Sequence, residues 1–233
     1  MGRAEAVAGG PEEVAVVTVG LVLCGYLVGS IPTAFLAGRF LKGLDIRRYG
    51  SGTVSGTGVY YHVARWAIVP VGLFDMAKAA LPAWLGLRLG LGLPGAVSGG
   101  LAAAVGHNWP LYLGFKGGRG ISTFLGLLLV VFPGGFPWLL AMLAVGRLLG
   151  GTAVLALLGI ALLPPLSWVS GQPVAVTRAC LAMVALTVLK RLEGNRAPLP
   201  ADPTERRRVW LNRLLLDRDT RSWEAWMLRK PPA

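Results

Sequence analysis

Fifteen residues, GHNWPLYLGFKGGRG at 106–120, set a histidine, an asparagine, two cations and five glycines between stretches that are almost wholly apolar. Lys116, Gly117, Gly118, Arg119 and Gly120 bring positive charge and open backbone amides to the start of a following helix. That is how a chain holds phosphate, because unpaired N–H groups and the helix dipole both favour an anion there. A cytoplasmic loop attracts cations for topological reasons too, but this accounts for neither the glycines nor the Gly-His-Asn step. His107 reads equally as a base or as a hydrogen-bonded packing residue.

Two further polar elements lie upstream. In LKGLDIRRYGSGTVSGTGVYYHV, residues 41–63, a loop of Gly50, Ser51, Gly52, Thr53, Ser55, Gly56, Thr57 and Gly58 offers hydroxyls and backbone N–H groups. Glycine permits the positive φ that an anion-binding nest requires. Arg47 and Arg48 just before it add charge-assisted donors, so both a flexible connector and an anion site fit the loop. GSIPTAFLAGRF, residues 29–40, carries Ser30, whose hydroxyl serves either a ligand or a carbonyl of its own helix.

The elements that position these groups follow from composition. The 233 residues are 54% hydrophobic and 15% charged, with mean hydropathy +0.60, far more apolar than an average soluble domain. The reading is an all-α polytopic membrane protein with about seven transmembrane helices and polar, glycine-rich cytoplasmic loops. Spans are expected over 14–37, 67–87, 95–108, 121–131, 136–149, 152–169 and 174–189. The third to fifth are short, which leaves the count between five and seven. Continuous rather than alternating apolar runs exclude a barrel. A cleavable signal in the first span is disfavoured, since no basic leader precedes it and a basic loop follows. Basic loops segregate to one side, which puts the N-terminus outside and the C-terminus in the cytoplasm. Three segments result: a short extracytoplasmic N-terminus at 1–13, a transmembrane domain at 14–192 and a basic amphipathic tail at 193–233.

The net charge of +12 lies beside spans and in that tail, where anionic lipid headgroups explain it better than nucleic acid. The tail interleaves arginines with Trp210, Leu211, Leu215, Trp223 and Trp226, the pattern of an interfacial helix. Cys24 and Cys180 sit singly inside spans as small fillers. The chain shows no metal-ligand cluster, nucleotide fingerprint or internal repeat, so neither cofactor nor metal is expected, and the missing broken-helix repeat speaks against a carrier.

Taken in order, GSIP, GLDIRRYGSG, LFDMAKAALP and GHNWPLYLGFKGGRG resemble the membrane acyl-phosphate:glycerol-3-phosphate acyltransferase family, the PlsY family. The resemblance covers roughly residues 25–124. It implies a seven-helix enzyme of the bacterial inner membrane that transfers a fatty acyl group from acyl phosphate to the 1-hydroxyl of glycerol 3-phosphate. Lysophosphatidic acid and phosphate would be the products, with membrane lipids as surroundings. It also implies that Ser30, Arg47, Ser51, Gly52, His107, Lys116, Gly117, Gly118 and Arg119 line the phosphate sites, beside Thr53 of the same loop. His107, Lys116 and Ser30 take the catalytic roles. Asp75 and Lys78 match a D-x-x-K element and are read as a structural pair near the site. The family's G-S-G-N-x-G-A-T-N is met by GSGTVSGTG, with Thr53 and Gly58 in place of the asparagines. Its late R-H-x-E-N-I-x-R-L element, read over LAMVALTVLKRL, puts Ala185 at the histidine, for which His107 is a better substitute than His62. A phospholipid- or anion-binding membrane protein that keeps the cradles without turnover is the alternative.

Overall fold

The computed structural model describes residues 10–50 and 52–227, so most of the expected N-terminal segment and Ser51 lie outside the described residues. All regular structure among them is helical. Helix α1, Pro11–Gly29, begins with proline at its first position and Glu12 and Glu13 in its first turn, both favoured where N–H groups are unpaired. The expected first span does not run unbroken to residue 37. Pro32 has no N–H to donate, the chain breaks at Ser30–Pro32, and a second helix, α2 over Thr33–Lys42, restarts beyond it and closes on Gly43 at φ 65°.

Short turns across residues 41–63 (motif two; residues 106–120 are motif three) include α3, Gly56–Gly58, which runs into a π turn at Val59–Val63. The long helices follow: α4 at Ile68–Arg88, α5 at Gly92–Asn108, α6 at Ile121–Val131 and α7 at Gly135–Leu148. The apolar run at 152–169 divides into α8, Thr152–Ala161, and α9, Leu163–Val169, at a Pro-Pro step. Helix α10 spans Val174–Glu193, four residues beyond the expected end of the last span. The tail forms α11 at Pro203–Leu216 and α12 at Trp223–Met227.

Small residues decide the packing. Inside a bilayer, lipid tails are as apolar as leucine, so helices associate through close backbone contact rather than through the hydrophobic effect. A methyl group on Gly29 would collide with the backbone of Ala103, and one on Gly106 with the Tyr26 carbonyl, so α1 lies directly on α5. Gly126 meets the Met76 carbonyl in the same way and seats α6 on α4. Phe124, Leu127, Leu128, Leu139, Ile160, Leu163 and Met183 fill the centre. The outer surface is apolar: Val16, Val19, Leu23, Phe74, Leu81 and Val169 are exposed, with Trp66 and Trp168 near helix ends, where indoles sit at a membrane boundary.

Among the described residues three helical stretches, Pro11–Lys42, Arg65–Arg88 and Thr152–Val169, are long and apolar enough to cross a membrane by themselves, while Ile121–Val131 and Gly135–Leu148 are shorter. The α1–α5 and α4–α6 contacts carry the three polar elements to one end of the bundle.

Candidate active site

The GHN motif is shaped by where α5 stops. Pro110 prevents the helix from continuing past Asn108, and Gly114 and Phe115 adopt φ of 60° and 65° in the turn that follows. Gly120, at φ 77°, stands at the N-cap of α6. Between them the chain doubles back over His107. The Gly118 amide donates to the His107 carbonyl at 3.1 Å. A Cβ at Gly118 would strike the His107 ring at Nε2, and one at Gly117 would strike the His107 carbonyl. Glycine is required at both positions because the backbone itself forms the floor against the imidazole.

The other face of that imidazole looks at α4. His107 Nδ1 stands 3.6 Å from Asp75 Oδ1, close enough for the carboxylate charge to act on the ring but longer than a formed hydrogen bond. The same oxygen accepts from Lys78 Nζ at 2.6 Å and from Thr33 Oγ1 at 2.5 Å, and Lys78 also donates to the Ile31 carbonyl. The D-x-x-K pair is thus a buried, neutralised ion pair that clamps the break between α1 and α2 and borders His107. A narrow gap lined by Ser30, Thr33, Val54, His107, Pro110 and Gly117 adjoins it.

Ser30 takes the simpler of its two readings. Its hydroxyl donates to the Tyr26 carbonyl at 2.8 Å and accepts from the Leu111 amide at 3.4 Å. It therefore ties the end of α1 to the turn after Pro110 while facing the gap.

Motif two builds the second wall. Asp45 accepts from the Arg47 amide at 3.0 Å and caps the turn at Ile46–Arg48. Its carboxylate also pairs with the Arg47 guanidinium at 2.7 Å, and that hydrogen bond holds the Asp45 carboxyl below its ordinary range. Gly50 and Gly52 take the expected positive φ, 53° and 67°. Thr53 is buried and donates to Ser55 Oγ at 3.1 Å, and Ser55 in turn caps α3. The Val54 amide reaches the Gly117 carbonyl at 3.3 Å, joining motif two to motif three.

A cleft of about 410 Å³ opens beside this junction, lined by Asp45, Arg47, Arg48, Gly52, Lys116, Asn195 and Trp226 among others. Arg47 is half neutralised by Asp45. Arg48 and Lys116 are exposed and form no ion pair among the described residues, so they supply its uncompensated positive charge.

Arg119, expected to bind substrate, points elsewhere. Its Nε lies 2.8 Å from Asp217 Oδ1, an ion pair by distance whose angle falls short of a hydrogen bond, and its Nη1 donates to the Lys190 carbonyl at 2.6 Å. Arg119 joins the motif to α10 and the tail and does not line the cleft.

In the late element, read over LAMVALTVLKRL, the position of the histidine does not face the site. Ala185 is exposed on the outer face of α10. The polar residues that reach the site are Lys190, Glu193 and Asn195, within K-R-L-E-G-N at 190–195. Lys190, fully buried, meets Glu193 at 2.9 Å and lies 4.9 Å from the centre of the Trp109 ring, whose Nε1 donates to Glu193 at 2.8 Å. Asn195, at φ 51°, donates from Nδ2 to the Gly52 and Gly117 carbonyls, both at 3.2 Å. One side chain therefore stitches both loops. The signal for it was the Gly-Asn pair directly after the last span, since these two residue types tolerate the left-handed region that ends a helix.

A family model described as Glycerol-3-phosphate acyltransferase matches residues 19–199. Glycerol-3-phosphate acyltransferase 4 of Dehalococcoides mccartyi (strain CBDB1) is 36% identical over 222 residues, covering 91% of this chain and 94% of its own. The glycerol-3-phosphate acyltransferase of Synechococcus sp. (strain CC9902) is 39% identical over 179 residues, 75% of this chain and 88% of its own. Crystal structures of PlsY (YgiH), an integral membrane glycerol 3-phosphate acyltransferase, share the fold at 28% identity. The glycerol 3-phosphate form has a TM-score of 0.72 over 88% of this chain and 96% of that one. The lysophosphatidic acid form gives 0.70, with 88% and 95% covered. With that match spanning most of the sequence and the motifs gathered around one cleft, the chain belongs to the glycerol-3-phosphate acyltransferase family.

Proposed function

We propose that the protein transfers a fatty acyl group from acyl phosphate to the 1-hydroxyl of glycerol 3-phosphate. The observation that carries this is the cleft in which Arg48 and Lys116 stand as open cations next to the Gly52 and Gly117 backbone, with His107 part-buried behind the same glycines. An acyl phosphate is already an activated mixed anhydride, so the protein's task is to hold two anions together and align the hydroxyl with the acyl carbon. The acceptor oxygen attacks that carbon, the carbon–oxygen bond to phosphate breaks, and phosphate departs with the electron pair. Lys116 neutralises the charge on phosphate. The hydroxyl proton passes to an oxygen of the departing phosphate, while His107, with Nε2 against Gly118 and Nδ1 toward Asp75, supports the Gly117–Gly118 floor beneath the reacting groups. Ser30, Thr53 and the Gly117–Gly118 floor set the positions of these groups. Ser51, outside the described residues, belongs to the same loop.

The chain is an integral membrane protein. We place it in the bacterial inner membrane with its N-terminus outside and its tail in the cytoplasm, since the cleft and the basic loops share one end of the bundle. The transmembrane domain at 14–192 carries the chemistry, and the tail at 193–233 packs on it through its described residues, 193–227.

Kinetics of purified protein test the roles. Lys116→Ala and His107→Ala should each lower kcat/KM by about 10²-fold or more. Wild-type kinetics in either folded variant would remove that residue from the mechanism.

A further inference from the structure

The family match ends at residue 199, yet the chain beyond it reaches the cleft. Trp226 lines the cleft with Arg47, Arg48, Gly52, Lys116 and Asn195, and is only 8% exposed. It arrives there through a series of specific contacts. Arg191 Nη1 donates to the Leu214 carbonyl at 2.7 Å, and Arg213 donates to the Leu192 and Ala197 carbonyls while pairing with Asp219 at 2.6 Å. Asp217 faces Arg119. At the far end Trp223 stacks edge-on against Tyr61 at 5.0 Å, and His62 Nε2 donates to the Met227 carbonyl at 2.9 Å. Gly50 of motif two lies so close to that carbonyl that a Cβ would stand 2.8 Å from it. The tail is therefore fastened to α10, to motif three and to motif two, with Trp226 held between the last two fastenings.

From this geometry we infer that the C-terminal tail is part of the acceptor site and that Trp226 is a specificity-determining residue, an apolar wall that limits the length of the polyol phosphate admitted. The inference rests on the acceptor reading above. On that reading Arg48 faces the acceptor's phosphate whatever the rest of the acceptor is, so this cation cannot distinguish a three-carbon polyol from a longer one. A rigid indole can, because it offers no hydrogen-bond partner to an additional hydroxymethyl group along its face and occupies the space that group needs. Discrimination by such a wall is of the size that pocket shape supplies, roughly ten- to a hundred-fold.

The test uses the full chain, wild type and with W226A or W226F, assayed for phosphate release from acyl phosphate with glycerol 3-phosphate or the four-carbon erythritol 4-phosphate. W226A should raise KM for glycerol 3-phosphate about ten-fold and leave KM for acyl phosphate unchanged. It should also shift the ratio of kcat/KM values at least about ten-fold toward the four-carbon acceptor. W226F, which keeps an aromatic wall, should stay near wild type. Should W226A fold poorly, the ratio is read from W226L, which keeps an apolar anchor but shortens the wall. An acceptor ratio identical in wild type and the folded variant overturns the inference while the functional reading stands. Wild-type protein inert toward glycerol 3-phosphate overturns the functional reading itself, and this inference with it.

Discussion

Of Arg47, Arg48, Lys116 and Arg119, only two face the cleft without a carboxylate partner. Arg47 shares Asp45 and Arg119 shares Asp217, whereas Arg48 and Lys116 share neither. A lysine or arginine engaged by a protein carboxylate has its charge largely cancelled where a substrate would feel it, so the sequence position of a cation says less than its partner. For Arg119 this yields a specific expectation. If it acts by fastening the tail, Arg119→Ala and Asp217→Ala should have similar effects on kcat/KM, and the double variant should be no worse than either alone, since residues in one pair are not independent. A double-mutant cycle measures this directly. Additive losses, or a loss in Arg119→Ala that Asp217→Ala does not share, would return Arg119 to the substrate.

The tail helices show a second dependence, on pH. His62 is half-buried at the joint between motif two and α12, and burial pushes its imidazole below the ordinary 6.5, an effect partly opposed by its bond to Met227. A docked pKa below the undocked one means that protonation favours release. Docking is complete above the ordinary histidine range and weakens as pH falls through it toward the docked value. Protection of residues 203–227 against hydrogen exchange, taken relative to the intrinsic rate at each pH, should therefore fall as pH drops from about 7.5 to about 5.5, and His62→Gln should remove most of that dependence; an identical pH response in the variant would contradict the assignment. None of this docking was legible in the sequence, and the reason is physical. The bond from His62 joins residues 165 positions apart, and that from Asn195 to Gly52 joins residues 143 apart, so neither leaves a local pattern. What was legible is local: apolar runs that became helices, most within a few residues of their expected bounds, and loop glycines that took positive φ; the break at Pro32, inside the span expected over 14–37, was not read. Which residues of the late element face the site was not legible, because a helix of near-uniform hydrophobicity offers no register; the exposure of Ala185 and the burial of Lys190 show it.

The whole molecule is a helical bundle with an apolar outer face and its polar residues collected at one end. In the orientation proposed above, the basic loops lie in the cytoplasm. Accessibility tags at Gly117 and the C-terminus should report cytoplasm and a tag near Gly10 the opposite side; a cytoplasmic Gly10 tag with an outward Gly117 tag would invert the arrangement. On the proposed function, the same architecture lets one membrane protein serve a greasy donor and a soluble acceptor, the acyl chain among the helices and both phosphates at the polar end. Whether the cleft carries out transfer or only holds anions is decided by stoichiometry. Purified protein given acyl phosphate and glycerol 3-phosphate should release one phosphate for each lysophosphatidic acid formed, and should release almost none when glycerol 3-phosphate is withheld. Saturable binding of glycerol 3-phosphate with no lysophosphatidic acid produced would contradict the account and leave the protein as a binder.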